Sequence, residues 1–235
     1  GFNFPVMAAV GANDMVYVVN RGNESIGNVT WDRIGIGARI SRITIGGTPG
    51  DEEFLGEFSK YGSKDGEFIW GSGVAVDKEQ NIYITDEWLN QVSIFGDDGN
   101  FRSKWSALEH DDDKTHGISN IAIDSNQNVF VTDGRSHEVR KFTKDGQFIT
   151  SWGSFGEGDG EFNSPWGITT DQEGCVYVAD HQNHRVQKFN SDGQWLSQIG
   201  RAGTGRGSLR YPTSVAVDSD GDVYVCDWTD NGYFP

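Results

Sequence analysis

Residues 161–190 read EFNSPWGITTDQEGCVYVADHQNHRVQKFN, and parts of this stretch recur along the chain. Short apolar segments spaced 47 residues apart each end in an aspartate, at Asp77, Asp124, Asp171 and Asp218. A second acidic column follows nine residues later, at Asp86, Asp133, Asp180 and Asp227. Because self-similarity at a fixed period marks repeat architectures, this spacing decides the class of fold.

Each full repeat contains four alternating segments of the kind that forms short β-strands. In the third repeat we expect strands at residues 120–123, 129–132, 138–142 and 147–152. Lys144-Asp-Gly146 supplies a hairpin turn before the last of them, since Asp tolerates and Gly prefers the positive φ of such turns. A period near 47 with four strands per unit is typical of a β-propeller blade. The sequence therefore predicts an all-β fold built from four-stranded propeller blades.

The same residues resemble a known family. The pattern GEFxxPxGIxxDxxGxVYVADxxNHRVQKFxxDGQ, over residues 160–194, is similar to the NHL repeat. The likeness extends from Gly1 to about Asp227 through several spaced columns. This resemblance implies a propeller that usually has six blades, and it does not imply one activity.

About four and a half blades are encoded, in what we interpret as a single propeller domain. We expect the five ranges to be blade 1 at about 1–68, blade 2 at about 69–117, blade 3 at about 118–164, blade 4 at about 165–211 and the start of blade 5 at about 212–235. Blade 1 carries an insertion around Gly22–Ala38. Because an open propeller exposes a sheet edge, we expect this chain to be part of a longer propeller. The alternative is closure by a partner chain, by further domains or in an unusual way.

The composition narrows the classes of partner. A formal net charge of −16 repels phosphates, so we expect no nucleic-acid partner. No apolar run approaches the roughly 20 residues of a membrane span. Two cysteines without a CxxC pattern provide neither a disulfide framework nor a four-cysteine zinc site. Acidity and glycine-rich loops favour an extracellular or periplasmic protein, with a cytoplasmic location as the alternative.

In a propeller, the loops between strands 2 and 3 and the loops joining successive blades lie on one face, because each strand reverses direction. That face is the default ligand site. The repeat places the following ligand-face candidates on it: Glu87, Trp88, Arg135, Trp166, His181, Gln182 and Trp228. The exposed tryptophans could stack on a ligand or pack between blades. The leading interpretation is a non-catalytic module that binds a protein, peptide or glycan.

An enzyme is the alternative. The six-bladed relatives that this resemblance implies include peptidyl-hydroxyglycine amidating lyases, which bind zinc through histidines. They also include calcium-dependent lactonases. Such a lyase has a histidine directly after the blade-opening proline, where this sequence has Val6, Trp166 and Thr213. A metal-dependent lyase or lactonase at the channel mouth therefore stays the second hypothesis. We predict no catalytic residue, metal ligand or resident cofactor, with calcium or zinc reserved for the enzyme alternative.

Three groups of polar residues invite a metal interpretation. The second acidic column is better interpreted as structural, with each carboxylate accepting hydrogen bonds from nearby backbone N–H groups. The strip Glu109–His116 is interpreted as a solvated acidic loop, since its spacing matches no calcium loop. In the cluster Asp180, His181 and His184, the first and last fall in repeat columns. Only His181 is unexplained by the repeat, and we expect it to contact a ligand.

Overall fold

The computed structural model describes residues 5–21, 38–48, 50–107 and 117–228. The chain divides into two compact units, residues 1–109 and residues 110–235. Among the described residues the structure is all-β, with one short 3-10 turn at His181–Asn183. No helix in these ranges is long and apolar enough to cross a membrane.

The first unit contains two antiparallel four-stranded sheets within its described residues. Their strands are Pro5–Val10, Met15–Arg21, Ala38–Thr44 and Glu53–Phe58 in blade 1, and Gly71–Val76, Ile82–Asp86, Gln91–Phe95 and Phe101–Ser106 in blade 2. A short parallel pair, Lys60–Tyr61 with Glu67–Phe68, lies in the segment that joins the two blades.

The second unit contains two complete blades and the first half of another within the described residues. Its strands are Ile118–Ile123, Val129–Asp133, Glu138–Phe142 and Phe148–Trp152 in blade 3, Pro165–Thr170, Val176–Asp180, Arg185–Phe189 and Trp195–Ile199 in blade 4, and Pro212–Val217 with Val223–Asp227 in blade 5. Strands pair in chain order within every sheet. The fold is therefore the predicted β-propeller of four-stranded blades.

The first acidic column closes the turn between strands 1 and 2. The Asp171 carboxylate accepts hydrogen bonds from the backbone N–H groups of Glu173 and Cys175 and from the Tyr177 hydroxyl. Asp218 repeats this pattern in blade 5 through Asp222 N and Tyr224 Oη. These turns therefore explain why an aspartate recurs at the end of the first strand.

Aromatic side chains fill the space between blades 3 and 4. Phe130, Phe162 and Phe189 are fully buried, and the Trp152 ring lies 6.1 Å from Phe130 and 5.9 Å from Phe189. Burying each phenyl group contributes roughly 1.5–3 kcal/mol. Trp152 ends the fourth strand of blade 3, whereas Trp195 opens the fourth strand of blade 4 opposite Phe189. Both indoles pack against this buried cluster.

A β-bulge interrupts strand pairing at the entry to each blade. The irregularity lies between the following pairs of residues: Pro5 and Met7, Gly71 and Gly73, Ile118 and Asn120, Pro165 and Ile168, and Pro212 and Ser214. Because a bulge re-aims the side chain of its extra residue, it sets the direction of the residue after the blade-opening position. In blade 4 that residue is Trp166, whose indole is exposed.

The first strands of blades 4 and 5 approach each other closely at Gly167. A Cβ atom at Gly167 would lie 2.6 Å from Ser214 Cα and 2.7 Å from Thr213 O. Both are backbone atoms, so the clash is relieved only by moving a strand. The position therefore admits only glycine without rearrangement.

We expect Gly167→Ala to lower the free energy of unfolding by about 1–3 kcal/mol, the range for overpacking a close contact. Gly205→Ala is the matched control, because its Cβ would lie 4.0 Å from the nearest atom. The control should stay within about 0.5 kcal/mol of wild type in urea unfolding. Equal stability of the two variants would contradict the close approach.

Candidate ligand-binding face

The loops between strands 2 and 3 and the blade-joining loops lie together in the second unit. Gln182 N donates to Asn163 O at 3.0 Å, and Trp228 N donates to Tyr211 O at 3.0 Å. In both pairs the first residue follows strand 2 and the second precedes strand 1 of the same blade. We call this side the loop-bearing face.

The second acidic column joins the two kinds of loop. The Asp180 carboxylate is fully buried and accepts hydrogen bonds from Asn163 N at 2.8 Å and Asn183 Nδ2 at 2.9 Å. The Arg185 Nε atom donates at 2.8 Å and Gln187 Nε2 at 3.1 Å. We call this set the Asp180 clamp. Its oxygens are occupied by protein donors, so the structural interpretation is confirmed here.

The other members of the column make the corresponding contacts. Asp133 accepts from Gly117 N at 3.3 Å and Arg135 N at 3.0 Å, while Asp227 accepts from Tyr211 N at 2.7 Å. In the first unit, Asp86 accepts from Ile69 N at 2.7 Å. Asp86 and Asp133 therefore bind both the blade-joining loop and the turn after their own strand, whereas Asp227 accepts hydrogen bonds from the blade-joining loop.

An aromatic group forms on this face around His181. The His181 ring centroid lies 5.0 Å from Trp166, edge to face, and 5.3 Å from Tyr211. Thr132 Oγ1 donates to Trp166 O at 2.6 Å, which fixes the Trp166 backbone from blade 3. Trp166 is 37% exposed and His181 is buried. The imidazole therefore supports the side of an indole that remains open to solvent.

The hydrogen bond at His181 defines which ring nitrogen carries the proton. Nδ1 lies 3.2 Å from Pro212 O, and a carbonyl can only accept, so Nδ1 is the donor. Burial lowers the pKa of His181 below its ordinary value, even though the Pro212 carbonyl acts in the opposite direction. The ring is therefore neutral at pH 7, with the lone pair on Nε2.

The predicted site residues are only partly brought together. Trp166 and His181 are in contact, whereas Gln182 is exposed and turns toward a neighbouring cavity. The Arg135 side chain passes over Gly117, with Cγ 3.2 Å from the position of a Cβ there. Trp228 is 48% exposed.

Two predicted residues belong to the first unit. Trp88 is 69% exposed, and the Glu87 carboxylate accepts from Arg21 Nη2 at 3.3 Å. That ion pair gives Glu87 an intramolecular partner, which the repeat pattern did not indicate.

Tyr211 belongs to the aromatic group although the sequence analysis did not select it. It stands directly before the blade-opening Pro212, in the column that Trp70 occupies in blade 2. Trp70 itself is an aromatic partner, because the Arg21 guanidinium carbon lies 5.0 Å from its ring centroid. A recurring aromatic before the first strand was the signal that could have identified Tyr211.

His184 occupies a structural column, as the repeat predicts. Asn90, His137 and His184 all adopt positive φ, between 50° and 59°. The His184 Nδ1 atom contacts Arg210 O, whereas His137 Nδ1 accepts from Ser164 N at 3.0 Å. Both imidazoles thus bind the blade-joining loop through Nδ1.

The one group of described residues with ligand atoms close enough to hold an ion is Asp171, Glu173 and Cys175. It lies in a turn between strands 1 and 2, away from the loop-bearing face. Burial alone would raise the pKa of Asp171, but hydrogen bonds from Cys175 N and Tyr177 Oη hold it below its ordinary value. Burial raises the pKa of the Cys175 thiol. The hydrogen-bonded oxygens of Asp171 and the neutral thiol of Cys175 indicate a structural turn. The strip Glu109–His116, the other acidic group of the sequence, lies outside the described residues.

Comparisons with known proteins support the repeat. The NHL repeat model matches residues 162–189 and 209–232, in blades 4 and 5. No curated protein matches the chain. The chain resembles a protein of unknown function from Bacteroides thetaiotaomicron with 18% identity and a TM-score of 0.70, covering 97% of this chain and 57% of that one.

Another similar structure is that of an enzyme. Catalytically inactive virginiamycin B lyase from Staphylococcus aureus with quinupristin gives 14% identity and a TM-score of 0.60. The match covers 97% of this chain and 82% of the lyase. A protein of unknown function from Bacteroides caccae gives 15% identity and a TM-score of 0.63, covering 96% of this chain and 71% of that one. At these identities the likeness shows the fold alone.

The neutral His181 should make stability depend on pH. Below the ordinary histidine pKa of about 6.5, the unfolded chain takes up a proton that the folded ring resists, so stability falls as the pH falls. Between pH 7.5 and 5.5 we expect wild type to lose more unfolding free energy than His181→Gln, by up to about 1.4 kcal/mol. Urea unfolding at both pH values measures this. The carboxylates titrate in both proteins, so parallel pH dependence would refute a buried neutral imidazole.

Proposed function

We propose that this NHL-repeat β-propeller is a non-catalytic binding module that takes a peptide, protein or glycan on its loop-bearing face. The observation that carries the proposal is the exposed Trp166 indole, supported edge-on by His181, which in turn packs on Tyr211. Because one fold can have many functions, the fold does not decide between a binding module and an enzyme. The proposal therefore rests on the site.

The support beneath Trp166 favours binding, because the indole is held before a ligand arrives. Thr132 fixes the Trp166 backbone and His181 packs on its ring, so little conformational freedom is left to lose. Rigid aromatic side chains offer large contact area at low entropic cost, which is why they dominate binding hot spots. Trp228 on blade 5 and Tyr211 extend the aromatic surface in the same unit.

The net charge of −16 disfavours nucleic acid as the ligand. A ligand that stacks on an indole through a sugar face or an aromatic side chain needs no charge of its own. We therefore expect hits among neutral glycans and aromatic-containing peptides.

A glycan array and a displayed peptide library, screened with the full chain, should yield a ligand that depends on Trp166. We expect Trp166→Ala to weaken the selected ligand at least tenfold, which is about 1.4 kcal/mol. Leu196→Ala is the control, because Leu196 is 46% exposed on an outer strand. If no hit loses affinity in Trp166→Ala, or if both variants weaken it equally, the proposal fails.

A lyase is the second candidate, and the tautomer of His181 is the observation that favours it. With Nδ1–H donated to Pro212 O, Nε2 of the neutral imidazole carries the lone pair that a general base uses. The fold is shared with virginiamycin B lyase. In this candidate His181 acts as the base.

Incubation with virginiamycin B and with quinupristin, followed by liquid chromatography, tests the lyase candidate. Catalysis would consume either compound in the presence of wild type and not of His181→Ala. His137→Ala, which alters another imidazole of the same unit, should keep the activity. The binding-module proposal predicts that both compounds persist with wild type, so consumption that depends on His181 would replace it.

A further inference from the structure

Two blade-joining loops of the second unit have the same backbone pattern and opposite charge. The loop at 153–164 carries Glu157, Asp159 and Glu161 and no basic residue, whereas the loop at 200–211 carries three arginines and no acidic residue. Each contains one isolated parallel bridge, Phe155 with Phe162 and Ala202 with Leu209, at equivalent positions. The backbone of this loop is thus compatible with acidic or basic side chains, so the fold alone does not explain the arginines.

Two adjoining cavities lie between this loop and the turn after strand 2 of blade 4. One has a volume of about 350 Å³ and includes Tyr211 and Arg210 in its lining, and the other has about 400 Å³ and includes Arg201 and Gln182. They share His184 and Ala202. We call the combined space the arginine pocket. Each volume lies within the range of small-molecule sites.

The charges of the lining are unbalanced. Among the described residues that line the arginine pocket, Glu157 is the one carboxylate, against Arg185, Arg201 and Arg210. Arg185 is committed to the Asp180 clamp and to two backbone carbonyls. Arg201 and Arg210 form no side-chain ion pair or hydrogen bond with any residue that the structure describes. Two guanidinium groups are therefore available at the pocket of an acidic protein.

The position of Arg210 is fixed by its backbone. Its carbonyl contacts His184 Nδ1, and its N–H donates to the Asp227 carboxylate at 2.9 Å. That carboxylate also accepts from Tyr211 N, so its oxygens are engaged by the backbone. The residue is thus anchored on both sides, which leaves the guanidinium as its variable part.

We propose that the arginine pocket binds a carboxylate group, carried by an acidic peptide side chain or by a small organic acid. A guanidinium matches the planar carboxylate with two parallel hydrogen bonds. The field of a protein with net charge −16 disfavours a phosphate near −2 more than a carboxylate at −1. Trp166 does not line this pocket, and the proposal extends beyond the proposed function.

Titration of the full chain with a capped peptide containing three glutamates tests the proposal. The glutamine counterpart, free glutarate and inorganic phosphate form the other arms, with affinity measured by calorimetry. We expect the glutamate peptide or glutarate to bind more tightly than phosphate, and the glutamine peptide not to bind. A preference for the peptide assigns the source to an acidic side chain, and equal binding of glutarate assigns it to the carboxylate alone.

Arg201→Gln and Arg210→Gln should each weaken carboxylate binding at least fivefold, and the double variant at least tenfold. Arg206→Gln is the matched control, because it removes the same charge from the same loop and Arg206 lines neither cavity. Thermal melting checks that each variant is folded. Equal weakening by Arg206→Gln, binding of the glutamine peptide, tighter phosphate binding or no binding in any arm would overturn the proposal.

Discussion

The buried carboxylate of Asp180 is the contact on which the loop-bearing face of blade 4 depends. It sits at the end of strand 2 and is held by donors from the blade-joining loop, from the turn after its own strand, and from Arg185 and Gln187 in strand 3. A fully buried charge is tolerated only when it is paired and hydrogen-bonded. Burying the Asp180 carboxylate costs desolvation free energy, and the hydrogen bonds that offset this cost hold both loops in one arrangement. Removing it would leave Arg185 buried without its partner.

Because the clamp aspartate holds the loops, the residues next to it can vary from blade to blade. The clamp residue recurs in blades 2 to 5, whereas the next residue is Glu87, Gly134, His181 or Trp228. The residue at the bulge likewise changes from Ser72 and Ser119 to Trp166 and Thr213. A rigid repeat thus presents a set of independent side chains. Trp166 and His181 of the aromatic group stand at these variable positions, whereas the arginine pocket lies beside the blade-joining loop at 200–211.

The sequence was informative where a physical cause repeats. The 47-residue spacing placed the strands of blade 3 to within two residues, and the second acidic column was assigned to hydrogen bonds from backbone N–H groups, which its carboxylates do accept. The same alignment identified His184 as a turn residue, which its positive φ confirms. A residue type that recurs at the same position of several repeats reflects a requirement of the backbone, because chance differences between single repeats do not recur.

Contacts of the blade-joining loop were not predictable in the same way. Nothing in the repeat says that Tyr211 would pack against His181 or that the Arg210 carbonyl would face His184, because those pairs join the turn after strand 2 to a loop whose sequence differs from blade to blade. The sequence shows the change from acidic to basic residues in the loop at 200–211, but the pocket beside it forms only in three dimensions. The site residues Glu87 and Trp88 belong to the other unit, so they stay predictions by repeat position.

If the Asp180 clamp holds the loops that carry the candidate site, replacing its carboxylate should release them. Amide hydrogen exchange of Asp180→Asn, compared with wild type and followed by mass spectrometry, measures this release. We expect faster exchange in the blade-joining loop at 156–164 and the turn at 181–184, while strand Val129–Asp133 of blade 3 keeps its protection. Unchanged exchange in both loops would show that the carboxylate does not hold them.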